Sequence, residues 1–134
     1  MPNYKNPNSL AAIDALILCG GPGSRLRPIM SDRPKGLAPV RGRPFLDILI
    51  EDLTQQGFRR IIFCVGHLKE QIIARYQARN DAEYLFSQEN VPLGTGGAVQ
   101  NALPLIRSNP FLIMNGDSCC HINFAEFYQF HLDK

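Results

Sequence analysis

The stretch Ile13-Asp14-Ala15-Leu16-Ile17-Leu18-Cys19-Gly20-Gly21-Pro22-Gly23-Ser24-Arg25 passes from apolar to glycine-rich to basic within a few residues. Residues 13–19 have the length and near-continuous apolarity of a strand buried on both faces, as in parallel sheets. The strand stops at Gly20-Gly21, where glycine permits positive φ and lets bare N–H groups approach an anion. Arg25, Arg27 and Lys35 supply opposing charge. Together they imply a polyphosphate ligand, hence a nucleotide. A Walker loop is excluded, because no Lys-Ser/Thr pair follows the glycines. A dinucleotide fingerprint fits Gly21 and Gly23 but puts Leu26 where a third small residue is needed. A turn whose glycines serve geometry alone remains the plain alternative, which the downstream basic residues disfavour.

Outward from this segment, the 134 residues suit one domain with a real core, and 45% hydrophobic with 19% charged residues is ordinary globular composition. No apolar run approaches the roughly 20 residues that cross a bilayer. Residues 1–11 are polar at the start, lack the basic and apolar regions of a signal peptide, and read as a flexible tail. Cys19, Cys64, Cys119 and Cys120 show no zinc-ligand spacing, so four free thiols in a reducing cytoplasm are expected. Net charge is only +2, yet Arg25, Arg27, Arg33, Lys35, Arg41 and Arg43 crowd into 19 positions opposed by Asp32 alone. Without interleaved aromatics this is a local anion site and not a nucleic-acid surface.

Apolar runs and helical patterns alternate along the chain. Strands are predicted at 61–65, 84–87 and 111–114, and helices from Pro44 to before Gly57, over 67–78, over 97–106 with Pro104 shortening it, and from Phe124 onward. The alternation predicts an α/β fold: a Rossmann-like, mostly parallel sheet with helices on both faces. Ligands then bind beyond the carboxyl ends of the strands.

Two acids fall at such ends. Asp117, in Met-Asn-Gly-Asp-Ser, offers a hard oxygen suited to Mg²⁺, its alternative being a helix cap or turn residue. Glu89 precedes the turn Gly94-Thr95-Gly96-Gly97. A carboxylate there accepts two hydrogen bonds, matching the N1–H and N2–H₂ donors of guanine and leaving uracil or thymine badly paired. Its alternative is a solvated strand-end charge. His67 reads as a helix-start or surface residue, and no Ser-His-Asp or Cys-His set is present.

With these residues placed, the chain closely resembles the sugar-1-phosphate nucleotidyltransferases. The matching pieces are Leu-Cys-Gly-Gly-Pro-Gly-Ser-Arg-Leu-Arg-Pro, Arg-Pro-Lys-Gly-Leu-Ala-Pro-Val, Glu-x-x-Pro-Leu-Gly-Thr-Gly-Gly-Ala and Asn-Gly-Asp-Ser. Among members it looks most like guanylyltransferases acting on mannose 1-phosphate or D-glycero-D-manno-heptose 1-phosphate, and the wording leans toward the heptose enzyme. The resemblance implies that Arg25 holds the leaving pyrophosphate, Lys35 the α-phosphate and pyrophosphate region and Asp117 the Mg²⁺. It further implies that Gly20, Gly21, Gly23 and Ser24 cradle phosphate, while Leu18, Glu89 and Gly94 frame base and ribose. Ser24 stands where threonine is more usual, and Gly36 follows the lysine at a position that varies.

Residues 12–134 thereby read as the nucleotide-binding half of a nucleotidyltransferase domain, ending before the family's sugar-binding segments and second metal-binding aspartate. The expected reaction transfers GMP from GTP to a sugar 1-phosphate. The alternatives are a non-catalytic nucleotide-binding or regulatory fragment, or a thymidylyl- or uridylyltransferase. GTP and a sugar 1-phosphate are the expected partners, without nucleic acid or membrane, and oligomerisation is left open. The chain by itself is expected to turn over little while keeping weak nucleotide affinity.

Overall fold

The computed structural model describes residues 10–19, 34–117 and 122–133. The first strand, β1 (Asp14–Leu18), is followed by a hairpin of β2 (Pro39–Val40) and β3 (Arg43–Pro44), then helix α1 (Phe45–Gln56) and strand β4 (Arg60–Val65). Helix α2 (Lys69–Tyr76), β5 (Glu83–Gln88), α3 (Gly94–Ala102), β6 (Leu112–Asn115) and α4 (Phe124–Leu132) complete the order. Four strands form one sheet in the order β5-β4-β1-β6, every pair parallel. The α/β architecture expected from the alternating pattern is therefore present.

Alternation along the strands sends side chains to two cores. Ala15 and Ile17 of β1 and Ile61, Phe63 and Val65 of β4 face α1, α2 and α4, meeting Leu46, Leu49, Ile50, Leu53, Ile72, Tyr76 and Phe124. Leu16, Ile62 and Cys64 face the other way, onto Ala98 and Ala102 of α3. Both faces are thus covered, which is why β1 and β4 read as unbroken apolar runs. On the first face Phe63 stacks on Tyr76 at 5.0 Å, Phe86 at 5.7 Å and Tyr84 at 6.0 Å.

In α1, burial of Leu46, Leu49, Ile50 and Leu53 is worth on the order of 1.5–3 kcal/mol per side chain. Intrinsic propensity differs by only a few tenths of a kcal/mol per residue, so packing decides this helix. Gly57, at φ 116°, closes it with a left-handed cap whose N–H reaches Leu53 O and Thr54 O.

Four local features depart from the sequence expectation. Helix α2 starts at Lys69 and not His67, because Leu68 adopts φ 55° and turns the chain out of the strand. Helix α3 starts at Gly94, so the glycine run is its first turn, and it gives way at Leu103 to a 3-10 turn containing Pro104. The hairpin β2–β3 was not legible from periodicity: its loop residues Arg41 and Gly42 both take positive φ, the geometry of a tight primed turn. The tail reading of residues 1–11 fails at Leu10, which lies in a 3-10 turn (Leu10–Ala12) and packs in the first core with 7% exposure. Residues 1–9 lie outside the described residues.

The amino-terminal edge of the sheet is locked by Asp14, which the sequence offered only as part of an apolar run. Its carboxylate accepts from Arg60 Nη1 at 3.0 Å and from the backbone N–H of Arg107 at 2.6 Å and Ser108 at 3.1 Å. Every donor is a structural neighbour, so this buried charge is accounted for without a ligand.

Candidate functional site

At the opposite, carboxyl edge, three backbone bonds continue the ladders one residue beyond the strands. Cys19 N–H donates to Cys64 O at 2.9 Å, Gly116 N–H to Leu18 O at 3.0 Å, and Glu89 N–H to Val65 O at 2.9 Å. Glu89, Cys19 and Gly116 are thereby brought into one row. The chain runs from β1 to β4 through α1 on one face and from β5 to β6 through α3 on the other. The connection order reverses between β1 and β6, and the crevice outside such a reversal is where open α/β sheets take ligands. Strands lie about 4.8 Å apart, so Glu89 on the β5 side and Gly116 on the β6 side stand three intervals, roughly 14 Å, apart.

Gly116 is built into this edge. A Cβ there would come within 3.0 Å of Cys19 Sγ and 3.1 Å of Leu18 O. The close approach sets Asp117, an exposed residue, just past the end of β6. Leu18 is half-buried at the end of β1 against the second core.

Glu89 is half-buried, and its Oε2 is buried without a hydrogen-bond partner. An unsatisfied buried acceptor costs about 1–3 kcal/mol, and more when charged, so the oxygen calls for a donor from a ligand. Five residues on, Gly94 takes φ 73° to open α3, with nothing within 4 Å of where a Cβ would sit; Gly96 is equally open. No side chain caps this helix, and its first turn holds no acid, so its leading N–H groups face outward unclaimed by either. Gly97 serves packing instead: a Cβ would fall 2.9 Å from Leu93 Cβ.

Burial pushes the Cys19 thiol well above the ordinary thiol range, with the charges of Cys64 and Asp117 adding to the shift. Burial, aided by the Glu89 charge, takes Cys64 up to about 12. Both shifts disfavour the thiolate, the reactive form of cysteine. The other dense charge cluster, on the first face, is internally paired. Asp47 accepts from Arg75 and from Tyr76 Oη at 2.6 Å, and the Arg75 bond leads in holding its carboxyl below the usual range.

Leu18, Glu89, Gly94 and Asp117 therefore share the carboxyl edge. Lys35 begins a 3-10 turn (Lys35–Leu37), and its side chain lies outside the described residues, as do Gly20, Gly21, Gly23, Ser24 and Arg25. His67 sits half-buried in the turn before α2, where a helix-start residue was expected. Missed from sequence was Asn101, whose Nδ2 donates to Ser87 Oγ at 3.1 Å and Gln88 O at 3.2 Å. The available signal was its place seven residues after Gly94, two turns along the same side of α3.

Among the described residues no group of three His, Cys, Asp or Glu is arranged around a metal. At the β6 end of the edge Asp117 offers a hard oxygen, which fits Mg²⁺, an ion that keeps waters and takes its remaining ligands from phosphates. No helix among the described residues is long and apolar enough to cross a membrane.

Residues 14–134 match the model of the nucleotidyl transferase family. The chain belongs to that family. It is 35% identical over 116 residues to the D-glycero-alpha-D-manno-heptose 1-phosphate guanylyltransferase of Campylobacter jejuni, covering 85% of this chain and 52% of that protein. It is 36% identical over 122 residues to the catalytic subunit beta of mannose-1-phosphate guanylyltransferase from Drosophila pseudoobscura, covering 87% of this chain and 33% of that one. Among solved structures, HddC from Yersinia pseudotuberculosis, complexed with GMP-PN, superposes with a TM-score of 0.81 at 38% identity. The superposition covers 90% of this chain and 55% of HddC. This nucleotidyl transferase chain thus spans about half the length of its bacterial relatives.

Proposed function

We propose that this chain is the nucleotide-binding half of a sugar-1-phosphate guanylyltransferase, holding GTP along the carboxyl edge of its sheet. The observation that carries the choice of base is the buried, partnerless Oε2 of Glu89 beside the open glycines of α3. Guanine presents N1–H and N2–H₂ side by side, and a carboxylate accepts both. Uracil and thymine present an acceptor beside their single N–H, so the same carboxylate would face an oxygen. Leu18 and Gly94 frame the base and ribose, and the row from β5 to β1 and β6 leads from base to phosphates.

In the reaction, a sugar 1-phosphate oxygen attacks the α-phosphorus of GTP and pyrophosphate leaves. The protein contributes alignment and charge neutralisation. Arg25 holds the departing pyrophosphate, Lys35 the α-phosphate, and Gly20, Gly21, Gly23 and Ser24 donate to phosphate oxygens. Asp117 would hold Mg²⁺, which when bound offsets phosphate charge. The guanylyltransferase names of the relatives at 35% and 36% identity support the GTP reading, and the Campylobacter jejuni heptose enzyme supports a heptose 1-phosphate as acceptor.

The test is a thermal-shift panel of GTP, UTP, dTTP, CTP and ATP with Mg²⁺, on the wild-type chain and Glu89→Gln. GTP is expected to stabilise the wild type most. The variant, which swaps one acceptor for a donor, should lose GTP affinity by about tenfold or more and with it the preference. No stabilisation by any nucleotide, or an unaltered preference in the variant, overturns the reading.

A further inference from the structure

The peptide joining Gln88 to Glu89 is held from both sides. Its N–H donates to Val65 O at 2.9 Å, and its carbonyl accepts from Asn101 Nδ2 at 3.2 Å. Among the described residues β5 is an edge strand, so the outward-facing Gln88 carbonyl has no strand beside it to pair with there. Asn101 stands in for the missing strand. The same Nδ2 also reaches Ser87 Oγ at 3.1 Å, a side chain only 5% exposed. One residue beyond Glu89, Asn90 Oδ1 accepts from Lys69 Nζ at 2.9 Å. The backbone is therefore restrained immediately before Glu89, and the Asn90 side chain is tied just after it, while the Glu89 carboxylate keeps a buried oxygen with no partner.

We propose that Asn101 is a positioning residue for base selection: it clamps the Gln88–Glu89 peptide so that the Glu89 carboxylate stays aimed at the base. Asn101 and Gly94 lie two turns apart on α3, so this clamp ties the two walls of the base site, the β5 exit and the start of α3, into one unit. A carboxylate freed from that restraint can swing into water and satisfy itself there, and the energetic advantage of a guanine donor pair disappears. The inference rests on the reading of Glu89 as the base contact.

Its test compares the dissociation constants of GTP and ITP, which lacks the 2-amino group, by titration calorimetry of the wild type, Asn101→Leu, Glu89→Gln and the double variant. Leucine is close to asparagine in shape and favours helix, so the exposed position tolerates it without loss of fold. Asn101→Leu is expected to reduce the GTP-over-ITP preference by about tenfold, and to change it no further when Glu89 is already Gln. Equal weakening of both nucleotides, with the preference kept, overturns the positioning role and leaves the base reading standing. Retention of the full preference in Glu89→Gln overturns the base reading, and the clamp falls with it.

Discussion

Glu89 and Asp14 are two carboxylates at opposite ends of one sheet, and their partners separate their roles. Asp14 is saturated by Arg60 and two backbone N–H groups, whereas Glu89 keeps an oxygen buried and unpartnered. A structural acid accumulates donors; in the proposed reading Glu89 leaves room for one from the base. Lys35 belongs to the proposed phosphate side of the site. Lys35→Ala is expected to weaken GTP binding by about tenfold or more, since a charge-assisted contact to phosphate is lost. The urea midpoint without nucleotide should stay unchanged. Calorimetric titration beside a denaturation curve checks both, and unaltered GTP affinity would remove the phosphate role.

At the level of elements, the junction of β1 and β6 transmits packing directly to the site. Gly116 leaves no space for a Cβ between Leu18 O and Cys19 Sγ, so Gly116→Ala must push the strand ends apart. Overpacking of this kind costs about 1–3 kcal/mol, measurable as a lowered urea midpoint. Because Asp117 follows directly, the variant should also bind Mg²⁺-GTP more weakly, while nucleotide binding without Mg²⁺ changes less. Helix α3 has a comparable double duty: Ala98 and Ala102 close the second core, and its glycine-rich start lies at the carboxyl edge where the nucleotide is proposed to bind. Strength and openness are divided along one helix.

For the molecule as a whole, the sheet has a locked edge and an open one. A nucleotide bound at the open edge, as proposed, would stabilise the fold by mass action, by about 2.7 kcal/mol at a hundredfold excess over the dissociation constant. Amide hydrogen exchange should localise that gain. GTP is expected to slow exchange in the segments around 19, 89–97 and 115–117, and to leave the Asp14, Arg60 and Ser108 edge without added local protection. Protection confined to the amino-terminal edge would place the ligand on the wrong side of the sheet.

The sheet strands, the helices and the parallel class of the sheet were legible in the residues themselves. Apolar runs, helical periodicity and glycine stops are local properties that each segment carries on its own. Leu18, Glu89, Gly94 and Asp117 were readable as edge residues for the same reason: each directly follows or closes a strand, or opens a helix. Tertiary structure alone decided that β6 pairs with β1, that Leu10 enters the core, and that Arg41 and Gly42 turn a hairpin. It alone also revealed that Asn101 braces the peptide before Glu89 and that one oxygen of that acid is left buried without a donor. These facts depend on contacts between segments far apart in the chain, where no local pattern records which neighbour a group will meet, or whether it will meet one at all.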